Sequence, residues 1–515
     1  MAADSKPEGS GPEAKPKIPW SRIIIPAVIA LAVILWLRGT IDITTVKSIF
    51  AFIFILGAAV VLHEFGHFIV AKLLGIRVET FSVGFGPSLW GRKWGTTEYR
   101  VSAIPLGGYV KLGGDESNAP LEGEGASDIP EKEQFMLRPR WQKFLVAVAG
   151  PVMNILTALA IPFIGGLMFG VPVTPTSPTV SRVMPGSAAQ AAGIERGDRI
   201  VSFNGEENPA WDDIRGDIMV VENQPKPRQF VVERNGQRIP ITVTPTRRKE
   251  GRDPVGEVGI LPDYGVAVPV TIRGVSANSP AAQAGLQPGD RLAAVNGQEV
   301  RNRDQAMGVI FEAQGNQTQL TVERQGRQME ITSGLNPPKN EEGKVQPRLG
   351  VDLAEVVPRG GVGVAGAAAY AARYNLQILK LTGKALKQLF VGDRSARDTL
   401  SGPLGIYEAA STSVNEGGWG GLFAMLGFLS LSLGVFNLLP IPVLDGGAIF
   451  LLLVEALLAL GGWKLSMRVR ERIQQVGFVM LLLLMGFVIT NDVLKKVSPA
   501  QDEKESPPAA TEQQK

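Results

Sequence analysis

A long apolar run, from Ile49 to Leu74, holds both histidines of this 515-residue chain in one five-residue word, His63-Glu64-Phe65-Gly66-His67. A run of that length reads as a helix long enough to cross a membrane. On a helix, residues i and i+4 lie on one face, so both imidazoles can reach one metal ion. Glu64 points about 100° round the helix, free to act as a base on water. Ionisable groups at membrane depth are costly and are kept for function. The word therefore predicts a zinc peptidase whose active site lies within the bilayer.

Composition limits the rest of the site. The chain has no cysteine, so disulfides and thiolate metal ligands are excluded. With two histidines available, at least one further zinc ligand must be Asp or Glu. The formal net charge is only +3, which gives no reason to expect nucleic acid.

Several further segments are organised for a membrane. Residues 1–20 are polar and rich in Pro, Gly, Lys and Glu, and read as a disordered cytoplasmic tail. Ile23 to Leu37 is apolar between Arg22 and Arg38, and no small-x-small cleavage site follows it; residues 21–38 are expected to form an extra, uncleaved transmembrane helix. Three more spans are expected at about Phe144–Val171, Leu422–Val443 and Val476–Ile489. Lys72 and Arg77, then Arg138, Arg140 and Lys143, then Lys464 to Arg472 all fall on one side if the chain crosses five times. By the positive-inside rule that side is the cytoplasm, and the block from about 172 to 420 is extracytoplasmic. Residues 496–515 read as a polar, disordered tail.

Between the first two core spans, Val78 to Gly86, Glu98 to Ile104 and Tyr109 to Leu112 are strand-like. They predict a small sheet or hairpin beside the metal helix, followed by an acidic, Gly-rich loop from Asp115 to Glu133. The extracytoplasmic block contains a repeat. Gly186 to Gly205 matches Asn278 to Gly297, 92 residues further on, and Val232-Glu-Arg-Asn-Gly236 matches Val322-Glu-Arg-Gln-Gly326. Each copy reads as a short helix, a Gly turn, a strand, an Asn-Gly turn and a later hairpin. From Gly363 to Val391 apolar residues recur at near-helical spacing, which suits an amphipathic helix on the outer surface or an ordinary packed one.

The sequence Asn437-Leu-Leu-Pro440-Ile-Pro442-Val-Leu-Asp445-Gly446-Gly447 supplies the missing oxygen. Its prolines break a helix, and Asp445 is an acid in an apolar stretch. It either caps the broken helix or completes the metal site, and the need for an oxygen ligand favours the second. Two neutral imidazoles and one carboxylate leave a position open, as catalytic zinc requires.

The His63–His67 word taken with Asn437–Gly447 resembles the site-2 protease family of zinc intramembrane proteases. The two repeats resemble bacterial PDZ domains, and with Ser401-Gly-Pro-Leu-Gly-Ile406 they narrow the resemblance to the RseP-type branch. It implies a polytopic α-helical membrane protein with a membrane-associated β-hairpin or sheet and two extracytoplasmic PDZ (α+β) domains, at 178–262 and 268–335. Residues 48–171 and 421–495 would be the two halves of the catalytic core, and 360–420 an extracytoplasmic helical region. By the resemblance, His63, His67 and Asp445 bind one Zn²⁺ and Glu64 is the catalytic base. Asn437 would help hold the substrate backbone. Phe81, Ser82, Val83, Gly84, Phe85 and Gly86 would pair with an unwound substrate strand, and Gly150 to Asn154 would pack in the core. The PDZ copies would bind peptide or act as a steric filter.

The implied activity is cleavage of a single-span membrane protein, such as an anti-sigma factor or a remnant signal peptide, after a site-1 protease has trimmed it outside. The implied location is the bacterial inner membrane. Ala448 departs from the pattern, standing where many relatives carry a polar residue. Two other readings are weaker. An inert membrane scaffold would leave the His-Glu-His-Asp set unexplained, and a metal transporter calls for several sites along a path where only one cluster is visible.

Overall fold

The computed structural model describes residues 42–114, 129–172, 178–184, 186–220, 222–250, 253–263, 268–312, 317–334, 349–355, 359–463 and 465–497. The expected anchor at Ile23 to Leu37, both polar tails and residues 115–128 of the acidic loop lie outside them.

Helix α1, Ile43–Leu73, carries the histidine word. The Asp42 carboxylate starts it by accepting from the Thr45 amide at 2.7 Å, which satisfies a donor the first turn cannot use itself. Strands β1 (Val78–Trp94) and β2 (Thr97–Leu112) follow and fold back on each other. Residues 78–83 pair with 108–112 on one side and with 98–101 on the other, while 97–102 pairs onward with 88–94. The result is a four-segment sheet with 78–83 inside and 108–112 at one edge. Val78, Leu112, Ile76, Ala71 and Val146 form one buried cluster that roots the sheet between α1 and the next helix. Burying each of the larger side chains contributes about 1.5–3 kcal/mol.

Helix α2, Arg140–Phe169, comes next. The two sequence repeats then fold alike. In the first, 228–234 pairs with 199–203 and 237–243; in the second, 318–324 pairs with 291–295 and 327–333. Each has its own apolar core, centred on Phe230, Val232 and Ile214 in one and on Leu320, Val322 and Ile272 in the other. Each buries an Asp bonded to an Arg on the neighbouring strand, Asp198 to Arg234 and Asp290 to Arg324. The Asn-Gly turns also match: Asn204 and Asn296 have φ of 49° and 50°, and each side chain accepts from the strand opposite.

Helix α3, Val364–Val391, is the expected near-helical segment; one face packs, while Leu376, Leu379 and Phe390 stay exposed. Gln377, Lys384 and Gln388 donate to the backbone oxygens of Asp212, Asp217 and Val220 on and just beyond the short helix Trp211–Met219 of the first repeat. These residues recur at helical spacing, so one face of α3 lies along that helix.

Helix α4 runs Pro403–Asn437 and kinks at Gly418. The piece after Gly418 is the span expected from about Leu422; the piece before it runs back along α1, with Tyr407 against Phe52 and Ser411 against Ser48. The chain then turns at the expected proline break, and Asp445 opens a separate helix, α5 (Asp445–Leu460). Helix α6, Met467–Val497, completes the core. Among the described residues α1, α2, α4 and α6 are the helices long and apolar enough to cross a membrane.

Polar contacts fix the direction of each helix. Arg138 donates to the carbonyl of Gly75, and Glu455 on α5 pairs with Arg140 and with Arg470. The end of α1, the starts of α2 and α6 and the middle of α5 are therefore together. At the other end Ser48 bonds Ser411 and Asn415, and Asp492 accepts from the amides of Gly402 and Leu404. Helices α1, α2, the part of α4 after Gly418, and α6 alternate in direction.

Candidate metal centre

His63 and His67 sit on the buried face of α1, 5% and 9% exposed. Helix α2 can lie against them because residue 150 is glycine: a Cβ there would stand 2.4 Å from His67 Nε2 and 2.8 Å from His63 Cε1. Asp445 arrives from the opposite side on the first residue of α5. The turn that delivers it is tight. Val443 has φ of +83°, a conformation that costs a β-branched residue energy and is kept where the surroundings demand it. A Cβ on Gly446 would fall 2.1 Å from the carbonyl oxygen of Leu439.

These elements bring three ligand atoms to one point. His63 Nε2 lies 2.9 Å from Asp445 Oδ2, His67 Nε2 lies 3.5 Å from Asp445 Oδ1, and the two Nε2 atoms are 3.3 Å apart. Tetrahedral zinc with bonds of about 2.0–2.2 Å sets its ligands roughly 3.3 Å apart, so the set fits zinc without rearrangement. The other ring nitrogens are engaged elsewhere. His67 Nδ1 is 2.7 Å from the carbonyl of Val146, and His63 Nδ1 is 3.2 Å from Asn154 Nδ2. Both Nε2 atoms thus face the centre. Among the described residues this is the group of His, Asp and Glu able to hold an ion.

Two more expected residues join it. Asn437, the last residue of α4, places Nδ2 3.3 Å from His63 Nε2. Glu64 accepts from the backbone amide of Val110 at 3.1 Å, which ties the carboxylate to the edge segment 108–112. The segment Phe81–Gly86 is divided. Phe81, Ser82 and Val83 have partners on both sides, while Phe85 pairs on one side only, with Ile104, which leaves an edge at that end of the segment. Phe81 packs its ring on Phe65 and Phe68, while Phe85 pairs with Ile104 and stacks on Tyr109. The outer side of 108–112 faces α1: a Cβ on Gly108 would stand 3.3 Å from Val61, Gly108 and Leu112 are buried, and the Val110 amide is taken by Glu64. Asn154 is the site residue whose role the sequence did not indicate; its signal was an amide inside the apolar run of α2.

Two imidazoles, a carboxylate and a neighbouring glutamate, carried on apolar helices, define a metallopeptidase centre built into a membrane protein. The chain belongs to Peptidase family M50, whose model matches residues 51–484. It is a zinc metalloprotease and acts within the membrane. It is 34% identical over 468 residues to "Regulator of sigma-E protease RseP" of Salmonella typhimurium, which covers 86% of this chain and 97% of that one. A Vibrio cholerae protein provisionally named a zinc metalloprotease is 32% identical over 469 residues, with the same coverage. The Escherichia coli RseP protein is 33% identical over 469 residues, again covering 86% and 97%.

Proposed function

We propose that this protein cleaves single-span membrane proteins after another protease has removed most of their extracytoplasmic part. The observation that carries the reading is the His63–His67–Asp445 set with Glu64 beside it, its histidines on a helix long and apolar enough to cross a membrane. A transmembrane helix hides its peptide bonds in internal hydrogen bonds, so a substrate must unwind before attack. Pairing with an exposed sheet edge replaces the lost bonds. Phe85 pairs on one side only, with Ile104, and Phe85 and Gly86 are exposed, so that end of the Phe81–Gly86 segment is where an added strand can pair.

A zinc ion held by His63, His67 and Asp445 supplies Lewis-acid activation of water and of the scissile carbonyl. Glu64 takes the proton from the attacking water and passes it to the leaving amine. Asn437, at the rim of the site, hydrogen-bonds the substrate backbone. The exposed apolar residues Trp90, Trp94, Ile104 and Leu106 suit a sheet that meets lipid.

In this reading the end marked by Lys72, Arg138, Arg140 and Arg470 faces the cytoplasm of a bacterial inner membrane. The two repeats are tandem PDZ domains outside it, and they hold back substrates that have not been trimmed. The substrate class is an anti-sigma-factor-like protein or a remnant signal peptide, and a site-1 protease acts upstream. The names of the Salmonella typhimurium and Escherichia coli relatives, which call them regulators of sigma-E, support this class. The test is cleavage in proteoliposomes of a tagged single-span substrate in trimmed and full-length forms. Wild type is expected to cut only the trimmed form, within its apolar segment. Deleting residues 178–335 should admit the full-length form; no change on deletion would sink the filter.

A further inference from the structure

We propose that Asn154 is a positioning residue that selects the ligating tautomer of His63. The proposal rests on the metal-centre reading above and concerns how that centre is prepared.

A neutral imidazole carries one proton, and only its bare nitrogen can bind a metal. For His67 the choice is already made. Its Nδ1 faces the Val146 carbonyl at 2.7 Å, and a carbonyl oxygen can only accept. The proton sits on Nδ1 and Nε2 is bare.

His63 has no such constraint from the backbone. Its Nδ1 faces the side-chain amide of Asn154 at 3.2 Å, and an amide can present either a donor or an acceptor. Two arrangements satisfy the geometry. With the proton on Nε2, His63 donates to Asp445 Oδ2 at 2.9 Å and accepts from Asn154 Nδ2. That tautomer has no lone pair for a metal. With the proton on Nδ1, Nε2 is bare, and Asn154 must turn its Oδ1 to His63. That oxygen is buried and has no hydrogen-bond partner, so nothing holds the amide in the other orientation. Asn154 is fully buried, so water cannot take its place.

The residue type fits the task. Its oxygen accepts from the imidazole, as the outer partners of zinc-bound histidines do. Its neutrality adds no charge to an apolar helix. The packing keeps it in range: a Cβ on Gly434 of α4 would lie 3.2 Å from Asn154 Cβ, so α4 presses closely on this turn of α2.

The test is zinc affinity of the purified full-length protein in detergent, by competition with a chromophoric chelator and without reference to proteolysis. Asn154→Leu keeps the shape and removes the acceptor; Asn154→Asp keeps the acceptor. The Leu variant is expected to bind zinc roughly 10- to 100-fold more weakly, the usual cost of losing an outer partner. The Asp variant is expected to stay within a few-fold of wild type or to bind more tightly. Thermal unfolding checks that each variant folds. A folded Leu variant with wild-type affinity would overturn the proposal. If the Leu variant does not fold, a tenfold loss in the Asp variant would overturn it. A wild-type protein that binds no zinc would remove the metal centre and this role together, which separates the two failures.

Discussion

Replacing Gly150 by alanine adds one methyl group at the contact between α2 and the two histidines. The new Cβ would stand 2.4 Å from His67 Nε2, 2.7 Å from His67 Cε1 and 2.8 Å from His63 Cε1. Ordinary contact needs about 3.5 Å, so the imidazoles or the helix must give way by roughly 1 Å. Zinc–ligand distances tolerate only about 0.2 Å. The displacement is several times that tolerance, and both histidines feel it. Losing a single outer-sphere partner already weakens zinc binding by about 10- to 100-fold, so Gly150→Ala is expected to lose at least the upper figure. The assay is chelator competition on purified full-length protein. Gly165→Ala is the control: it lies on the same helix, and its Cβ meets nothing within 4 Å. Unchanged zinc affinity in Gly150→Ala, alongside an unchanged control, would refute the close packing of α2 on the histidine pair.

Other consequences can be checked on the same preparation. Val110→Pro deletes the amide that holds Glu64, so peptide cleavage should fall roughly 10- to 100-fold while zinc content stays at the wild-type level. In the second repeat Arg324 hydrogen-bonds Asp290 and holds its carboxyl below the usual range, against the opposing effect of burial. The folded value is depressed, so this contribution is complete above the unfolded carboxylate range near pH 4 and fades as pH falls through the folded value. Hydrogen exchange should therefore show strands 291–295 and 318–324 loosening on acidification in wild type. In Asp290→Ala the same strands should be looser already at pH 7, by about 1.5–3 kcal/mol.

The His63–His67 word was legible because its geometry is local: one helical turn fixes how His63, Glu64 and His67 point. Asp445 was legible by elimination, since a chain with no cysteine and two histidines must take an oxygen ligand. The repeats were legible because the Asn-Gly turns and buried Asp residues recur with the same spacing. What the sequence hid is non-local. The segment at Phe81 reads as a strand, but nothing in its residues tells that both sides of 81–83 are taken or that α1 lies along 108–112. The break before α5 was legible in Pro440 and Pro442, but no polar boundary marks Asp445–Leu460 as a helix of its own. The partnership of Asn154 with His63 joins residues 91 apart in the chain, across two helices, and no periodicity carries that signal.

The most direct test of the account is zinc content and cleavage of a tagged single-span substrate, measured on wild type and Glu64→Gln together. The account expects about one zinc per chain in both proteins. It expects cleavage in wild type, reduced by about 10² to 10⁴-fold in the variant, the range a positioned general base supplies. A protein without zinc, or equal cleavage by both forms, would contradict it.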